Sequence, residues 1–152
     1  MKCSAKIKAA ALFCAILGAN LPIYAQNRAR DVSVQSVQVL VDNINEEGIS
    51  LQVLGMAKNA FNSIKIDEKT DEGAQVKKYT IKIDLRERSF YKSVDNIHSL
   101  YARYQLFSED GECVLENIFC SEGRKSILSA LVQQRQVAKI ARDLKKYFES
   151  DA

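Results

Sequence analysis

The chain has 152 residues, with 22 Lys+Arg against 19 Asp+Glu and a formal net charge of +3. That excess comes from the first 25 residues, where Lys2, Lys6 and Lys8 stand without an acidic residue, so residues 26–152 carry 19 of each sign. The positive balance therefore gives no support to nucleic-acid binding. The remaining 127 residues suffice for one domain whose core needs neither disulfides nor a metal to hold it.

The first 25 residues read as a cleavable signal peptide. A basic start is followed by an apolar run over residues 9–21 and a polar exit at Pro22. The run has 13 residues, which fits a signal-peptide core and falls short of the roughly 20 that cross a bilayer. Ile23-Tyr24-Ala25 offers a cleavage site ending in small Ala25, so the mature start is expected at Gln26, with residues 26–152 a single domain and no transmembrane span after cleavage. The rival reading is an N-terminal anchor that is retained. Lipidation wants a small residue before the modified Cys, whereas Phe13 precedes Cys14 and Lys2 precedes Cys3. The expected location is the periplasm or the medium.

Loss of the signal takes Cys3 and Cys14 with it and leaves Cys113 and Cys120. An even pair in an exported protein suggests a disulfide. Seven residues along a straight strand, however, span about 23 Å and put the side chains on opposite faces, while a disulfide needs Cα atoms within about 7 Å. Either the segment folds back on itself, or the thiols are separate, buried or intermolecular.

Residues 31–41 are rich in alternating valine. Val32 and Val34 share one parity and Val37, Val39 and Val41 the other, a slip at Gln35-Ser36 that predicts a bulge or break in the first strand. From Asn45 the period becomes helical: Ile49, Val53, Met56, Ala57, Ala60 and Phe61 form one apolar face. Asn45 is the expected N-cap, Glu46 and Glu47 suit the positive end of the helix, and Asn62-Ser63 closes it. Gly55 in its middle suggests close packing on a strand.

Residues 63–67 suggest a short strand, and residues 67–76 a charged turn around Gly73. In the next strand Tyr79, Ile81, Ile83 and Leu85 point one way and Thr80, Lys82, Asp84 and Arg86 the other, so one face meets a core and the other water. Residues 86–98 are polar and less regular. Residues 100–107 and 113–119 form strands joined through Asp110-Gly111, a hairpin signal. A long helix is expected over residues 125–148, with a kink or break at residues 133–136. Its second half sets Val137, Ile140, Ala141, Leu144 and Phe148 opposite a basic stripe of Arg135, Lys139, Arg142 and Lys146.

The expected fold is α+β: two helices packed on one face of a four- to five-stranded mixed or antiparallel sheet, in the order β-α-β-β-β-β-α. A parallel crossover between the first two strands would be right-handed and fix the side of the first helix.

Catalytic and metal constellations are sparse. His98, the single histidine, lies near Asp95 and could be drawn into a triad with Ser89, Ser93 or Ser99, yet nothing marks a nucleophile elbow. One His with two Cys seven apart matches no common zinc spacing. Gly123-Arg124-Lys125-Ser126 reads as a turn before a helix, since the glycine framework of a phosphate loop is missing. Asp84, Glu87, Asp110, Glu112 and Glu116 fall on strand faces and turns, where solvated carboxylates are ordinary. No catalytic residue, cofactor or metal is expected. The basic stripe is the one patterned surface: a solvated helix face, or a contact for an acidic partner or anionic lipid headgroups.

The segments YTIKIDLRE, YARYQLFSEDGECVLEN and SILSALVQQRQVAKIARDLKKYF, between Tyr79 and Phe148, together with the order of elements, resemble small envelope-accessory domains of Gram-negative bacteria. Examples are the N-terminal domain of TolB, LptE and the auxiliary components of lipid-transporting ABC systems. The resemblance implies an exported, non-enzymatic accessory protein of the envelope, serving outer-membrane assembly or lipid transport, with an envelope protein or lipid-associated component as partner. The alternatives are a secreted module binding an extracellular protein, and a small hydrolase using His98 or a cysteine.

Overall fold

The computed structural model describes residues 30–62, 64 and 76–150. The expected signal peptide, the mature start and the charged turn around Gly73 lie outside these residues. So does the short strand expected at residues 63–67, apart from Ile64, a turn residue whose N–H donates to the Phe61 carbonyl at 3.1 Å.

The first strand, β1 (Arg30–Val41), carries the predicted bulge. Val34 registers with Ile81 and Ser36 with Lys82, so Gln35 has no opposite number. The extra residue corrects the parity slip and puts Val32, Val34, Val37, Val39 and Val41 over Tyr79, Ile81, Ile83, Leu85 and Glu87 on one face. After β1 the chain turns through Asp42 and Asn43, both at positive φ (49° and 68°), the conformation that matches a two-residue hairpin to the twist of its strands. It returns as a two-residue strand, β2 (Ile44–Asn45).

Helix α1 (Glu47–Asn62) buries Val53, Ala57 and Phe61, with Ile49, Met56 and Ala60 half-buried beside them, the face that the sequence marks out. Asn45 is not its cap. It belongs to β2, and the first turn closes at Glu46, whose carbonyl accepts from both Ser50 N and Ser50 Oγ. Nothing lies within 4 Å of where a Cβ on Gly55 would stand, so this glycine is not a point of close packing.

Strand β3 (Lys77–Lys92) runs parallel to β1 and antiparallel to β4 (Asp95–Ser108), which pairs with antiparallel β5 (Cys113–Gly123). The sheet order is β2-β1-β3-β4-β5. A second helix, α2 (Ala130–Ser150), completes the α+β fold, two helices with a five-stranded mixed sheet. The core lies between sheet and helices: Ile81, Ile83 and Leu85 of β3 and Ala102, Tyr104 and Leu106 of β4 meet Phe61 of α1 and Ile140, Leu144 and Phe148 of α2. Full burial of each large apolar side chain contributes roughly 1.5–3 kcal/mol.

Two differences from the sequence reading have plain causes. Helix α2 starts at Ala130, because residues 126–129 form a turn, and it runs through residues 133–136 without a break. Gln133 sits on its buried face because its Nε2 donates to the carbonyl of Ile127 at 2.9 Å and so satisfies the turn before the helix. Residues 86–98, expected to be irregular, are instead the continuous end of β3, a two-residue turn at Ser93 and Val94, and the start of β4.

Candidate functional site

The triad that could be drawn around His98 is not assembled. Asp95 pairs with Arg124 at 3.0 Å and not with His98. The carboxylate facing His98 is Glu87, whose Oε1 lies 2.9 Å from Nδ1, and Ser89 Oγ lies 3.2 Å from that same nitrogen. A relay needs the acid on one ring nitrogen and the hydroxyl on the other; here both crowd Nδ1. Glu87 is 2% exposed and also accepts from Ser126 Oγ at 2.6 Å and from the backbone N–H of Ile127. Its carboxylate thus ties β3, β4 and the turn before α2 together, a buried charge held by several donors.

The other carboxylates stay apart. Asp84 takes Arg86 as its partner at 2.8 Å, and Glu116 takes Arg103 at 2.6 Å; Asp110 and Glu112 are exposed at the β4–β5 turn. The Asp84 carboxylate holds the Arg86 guanidinium above its ordinary pKa, through hydrogen bonds first and charge second. Among the described residues no group of three or more His, Cys, Asp or Glu is placed to hold a metal ion.

Cys113 opens β5 and Cys120 lies seven residues further along the same strand, opposite Phe107 and Tyr101 respectively. Both thiols are free and exposed. A bulge where Phe107 meets Cys113 removes the parity problem, since both cysteines then register against residues of the sheet face turned away from the helices, but the separation along the strand remains.

The basic stripe is brought to one place. Arg135, Lys139, Arg142 and Lys146 are all exposed on α2, and Lys139 Nζ lies 3.9 Å from the ring centroid of Phe119 on β5, a cation–π contact. Below the stripe, Asp143 accepts from Tyr104 Oη at 3.3 Å and from Asn117 Nδ2 at 3.2 Å, which fixes the helix against β4 and β5. Burial, with the Asp143 charge adding to it and a bond from Asn117 opposing, pushes the Tyr104 hydroxyl up to about 12. The stripe therefore runs beside β5, one of the two edge strands of the sheet. At that edge the N–H of Ile118 is taken by Asn117 Oδ1 at 2.9 Å. A row of positive charge next to a strand edge can hold an acidic, extended segment or an anionic headgroup; it offers no acid–base pair.

The class defined by this geometry is an α+β domain of two helices packed with a five-stranded mixed sheet, with a basic stripe exposed on its second helix. No protein-family model matches the chain, and no curated protein matches it. Solved structures do. The PelC dodecamer from Paraburkholderia phytofirmans is 14% identical, with a TM-score of 0.50 over 75% of this chain and 86% of that one. A single-substitution variant of that dodecamer is 16% identical, with a TM-score of 0.49 over 74% and 85%. A minor lipoprotein from Acinetobacter baumannii is 7% identical, with a TM-score of 0.46 over 82% and 94%. What this chain shares with PelC is the fold.

The projecting β3–β4 hairpin and the buried Glu87 are what the sequence reading missed. Glu87 continues the phase of Tyr79, Ile81, Ile83 and Leu85, which was a usable signal that it faces the core.

Proposed function

We propose that this chain is an exported accessory protein of the bacterial cell envelope that acts by holding a partner. The fold it shares with PelC supports the reading most directly. The surface that does the holding is the stripe of Arg135, Lys139, Arg142 and Lys146 beside the β5 edge, and its complement is an acidic envelope protein or lipid-associated component. The finer relationship to the TolB N-terminal domain, LptE or ABC-system auxiliary components, and a role in outer-membrane assembly or lipid transport, belong to the same proposal and rest on the order of elements.

Cell fractionation combined with photo-crosslinking from position 142 tests it. The expected result is retention in the envelope fraction and a discrete adduct that R135E/K139E abolishes. Release of all the protein to the medium, with no adduct, would overturn the reading.

A further inference from the structure

In the sheet, β5 has β4 as its neighbour on one side and no strand on the other. It is 11 residues long, whereas the opposite edge of the sheet ends in β2, a strand of two residues. An edge of that length presents a row of backbone donors and acceptors to any chain that lies along it. The Ser108 N–H donates to the Glu112 carbonyl, so alternation aims the backbone groups of Tyr104 and Asn117 at one another and turns those of Glu116, Ile118 and Cys120 outward. The outward Ile118 N–H accordingly meets Asn117 Oδ1. Two exposed thiols, Cys113 and Cys120, stand on this strand.

The two cysteines are placed symmetrically along that edge. In register Cys113 lies opposite Phe107 and Cys120 opposite Tyr101, and midway between them, opposite Tyr104, lies Asn117. An antiparallel copy related by a two-fold axis through Asn117 therefore sets Leu115 against Phe119, Glu116 against Ile118 and Cys113 against Cys120, each pair twice. The bulge at the start of β5 is what allows this. Seven residues along an unbroken strand would leave the thiols on opposite faces, whereas residues directly opposed in an antiparallel ladder share a face. The skip between Cys113 and Leu115 brings Cys113 round to the face of Cys120.

We infer that β5 is a self-pairing edge: two copies join β5 to β5 antiparallel about a two-fold axis at Asn117, and Cys113 of each forms a disulfide with Cys120 of the other. Opposed residues of a hydrogen-bonded pair stand with Cα atoms about 5.5 Å apart, inside the range that a disulfide spans. The Ile118 N–H exchanges its Asn117 side-chain acceptor for the Glu116 carbonyl of the second copy. On the helix side, half-buried Leu115 and Phe119 cover one another. On the other side Ile118, 48% exposed, gains the stem of Glu116, whose carboxylate stays with Arg103. An axis moved to Glu116 would set that residue against itself, like charges directly opposed. The flank that α2 turns to β5 carries Asp143 as well as Lys139, so the two helices do not meet as walls of one sign. An unlike partner would need two thiols matched in spacing and face, whereas a second copy supplies both by one symmetry operation. Each bond joins two thiols and passes their two electrons and two protons to a small-molecule disulfide, which leaves as two thiols. The inference goes beyond the envelope reading and is independent of what the α2 stripe holds.

The test uses the full chain carrying C3S and C14S, so that Cys113 and Cys120 are its remaining thiols, in a mixture of oxidised and reduced glutathione. This parent is expected to give a reducible dimer whose peptide map shows Cys113 joined to Cys120. Adding C113S or C120S removes one half of every pair, so each variant alone stays monomeric on a non-reducing gel. Mixing the two in equal amounts restores one bond per dimer, with roughly tenfold or more covalent dimer than either variant gives alone, because pairing of the edges raises the effective concentration of the matched thiols. Both side chains are exposed, so the reduced variants keep the parent's melting curve, which checks their folding. Dimerisation of either variant alone to the parent's extent, peptides joining Cys113 to Cys113 or Cys120 to Cys120, or a mixture no better than its components overturns the proposal. None of these outcomes depends on where the cell sends the protein, so the envelope reading stands or fails separately.

Discussion

At the scale of single residues, two positions convert directly into measurements. Gly55 is exposed within α1, with open space where a Cβ would go, so it carries the entropic cost of a helical glycine without a packing gain. Gly55→Ala is expected to stabilise the fold by about 1 kcal/mol, seen as a melting temperature higher by roughly 4 °C. Tyr104 is almost wholly buried, and its pKa is raised to about 12 from the ordinary 10.0, with burial the main cause. The native state therefore holds a proton that the unfolded chain has lost between those two values. The contribution is fully present below pH 10 and is lost as pH rises through about 12, with an upper bound of about 2–3 kcal/mol. Urea melts across that range should show stability falling with pH, and Tyr104→Phe should flatten the fall. Unchanged slopes in the Phe variant would place the titration elsewhere.

At the scale of elements, the turns decide what can be read from sequence. Gly111 is at φ 82°, and Ser108 and Gly111 close its turn through a 3.0 Å backbone bond. Asp-Gly announced this hairpin because glycine tolerates that conformation. Ser93 occupies the same region at φ 63° with no glycine or asparagine to announce it, which is why the β3–β4 hairpin read as irregular. Ser93→Gly is expected to raise stability and Gly111→Ala to lower it, each by about 1 kcal/mol, as opposite shifts of the urea midpoint. The valine parity slip exposed the β1 bulge because strand period is strict, and the α1 face was legible because its apolar spacing is regular. The basic stripe was legible in the same way. Glu87 and Gln133 fall in phase with the buried residues around them, and what could not be read is the partners from other segments that satisfy them there: Ser126 and Ile127 as donors for the one, the carbonyl of Ile127 as acceptor for the other. Such pairings leave no periodic trace.

At the scale of the whole molecule, the sheet order makes β5 an outer strand and puts Cys113 and Cys120, the free thiols among the described residues, on it. Cys113 and Cys120 register against Phe107 and Tyr101, six residues apart on β4 and hence about 20 Å along the sheet. A disulfide brings its Cα atoms to within about 7 Å, so joining these two within one chain would require β5 to leave β4 and give up its whole ladder. Joining them between copies requires no such rearrangement, because exposed thiols on an outer strand can meet those of a second molecule. Under an oxidising glutathione mixture, which takes the electrons as one disulfide exchanges for another, the expected product is a reducible dimer on a non-reducing gel. Peptide maps should show Cys113 and Cys120 joined across chains or left as thiols, and Cys113→Ser/Cys120→Ser should abolish that linkage. A folded monomer with Cys113 and Cys120 bonded to each other, its circular dichroism unchanged, would mean that β5 is not held in the sheet as these contacts require.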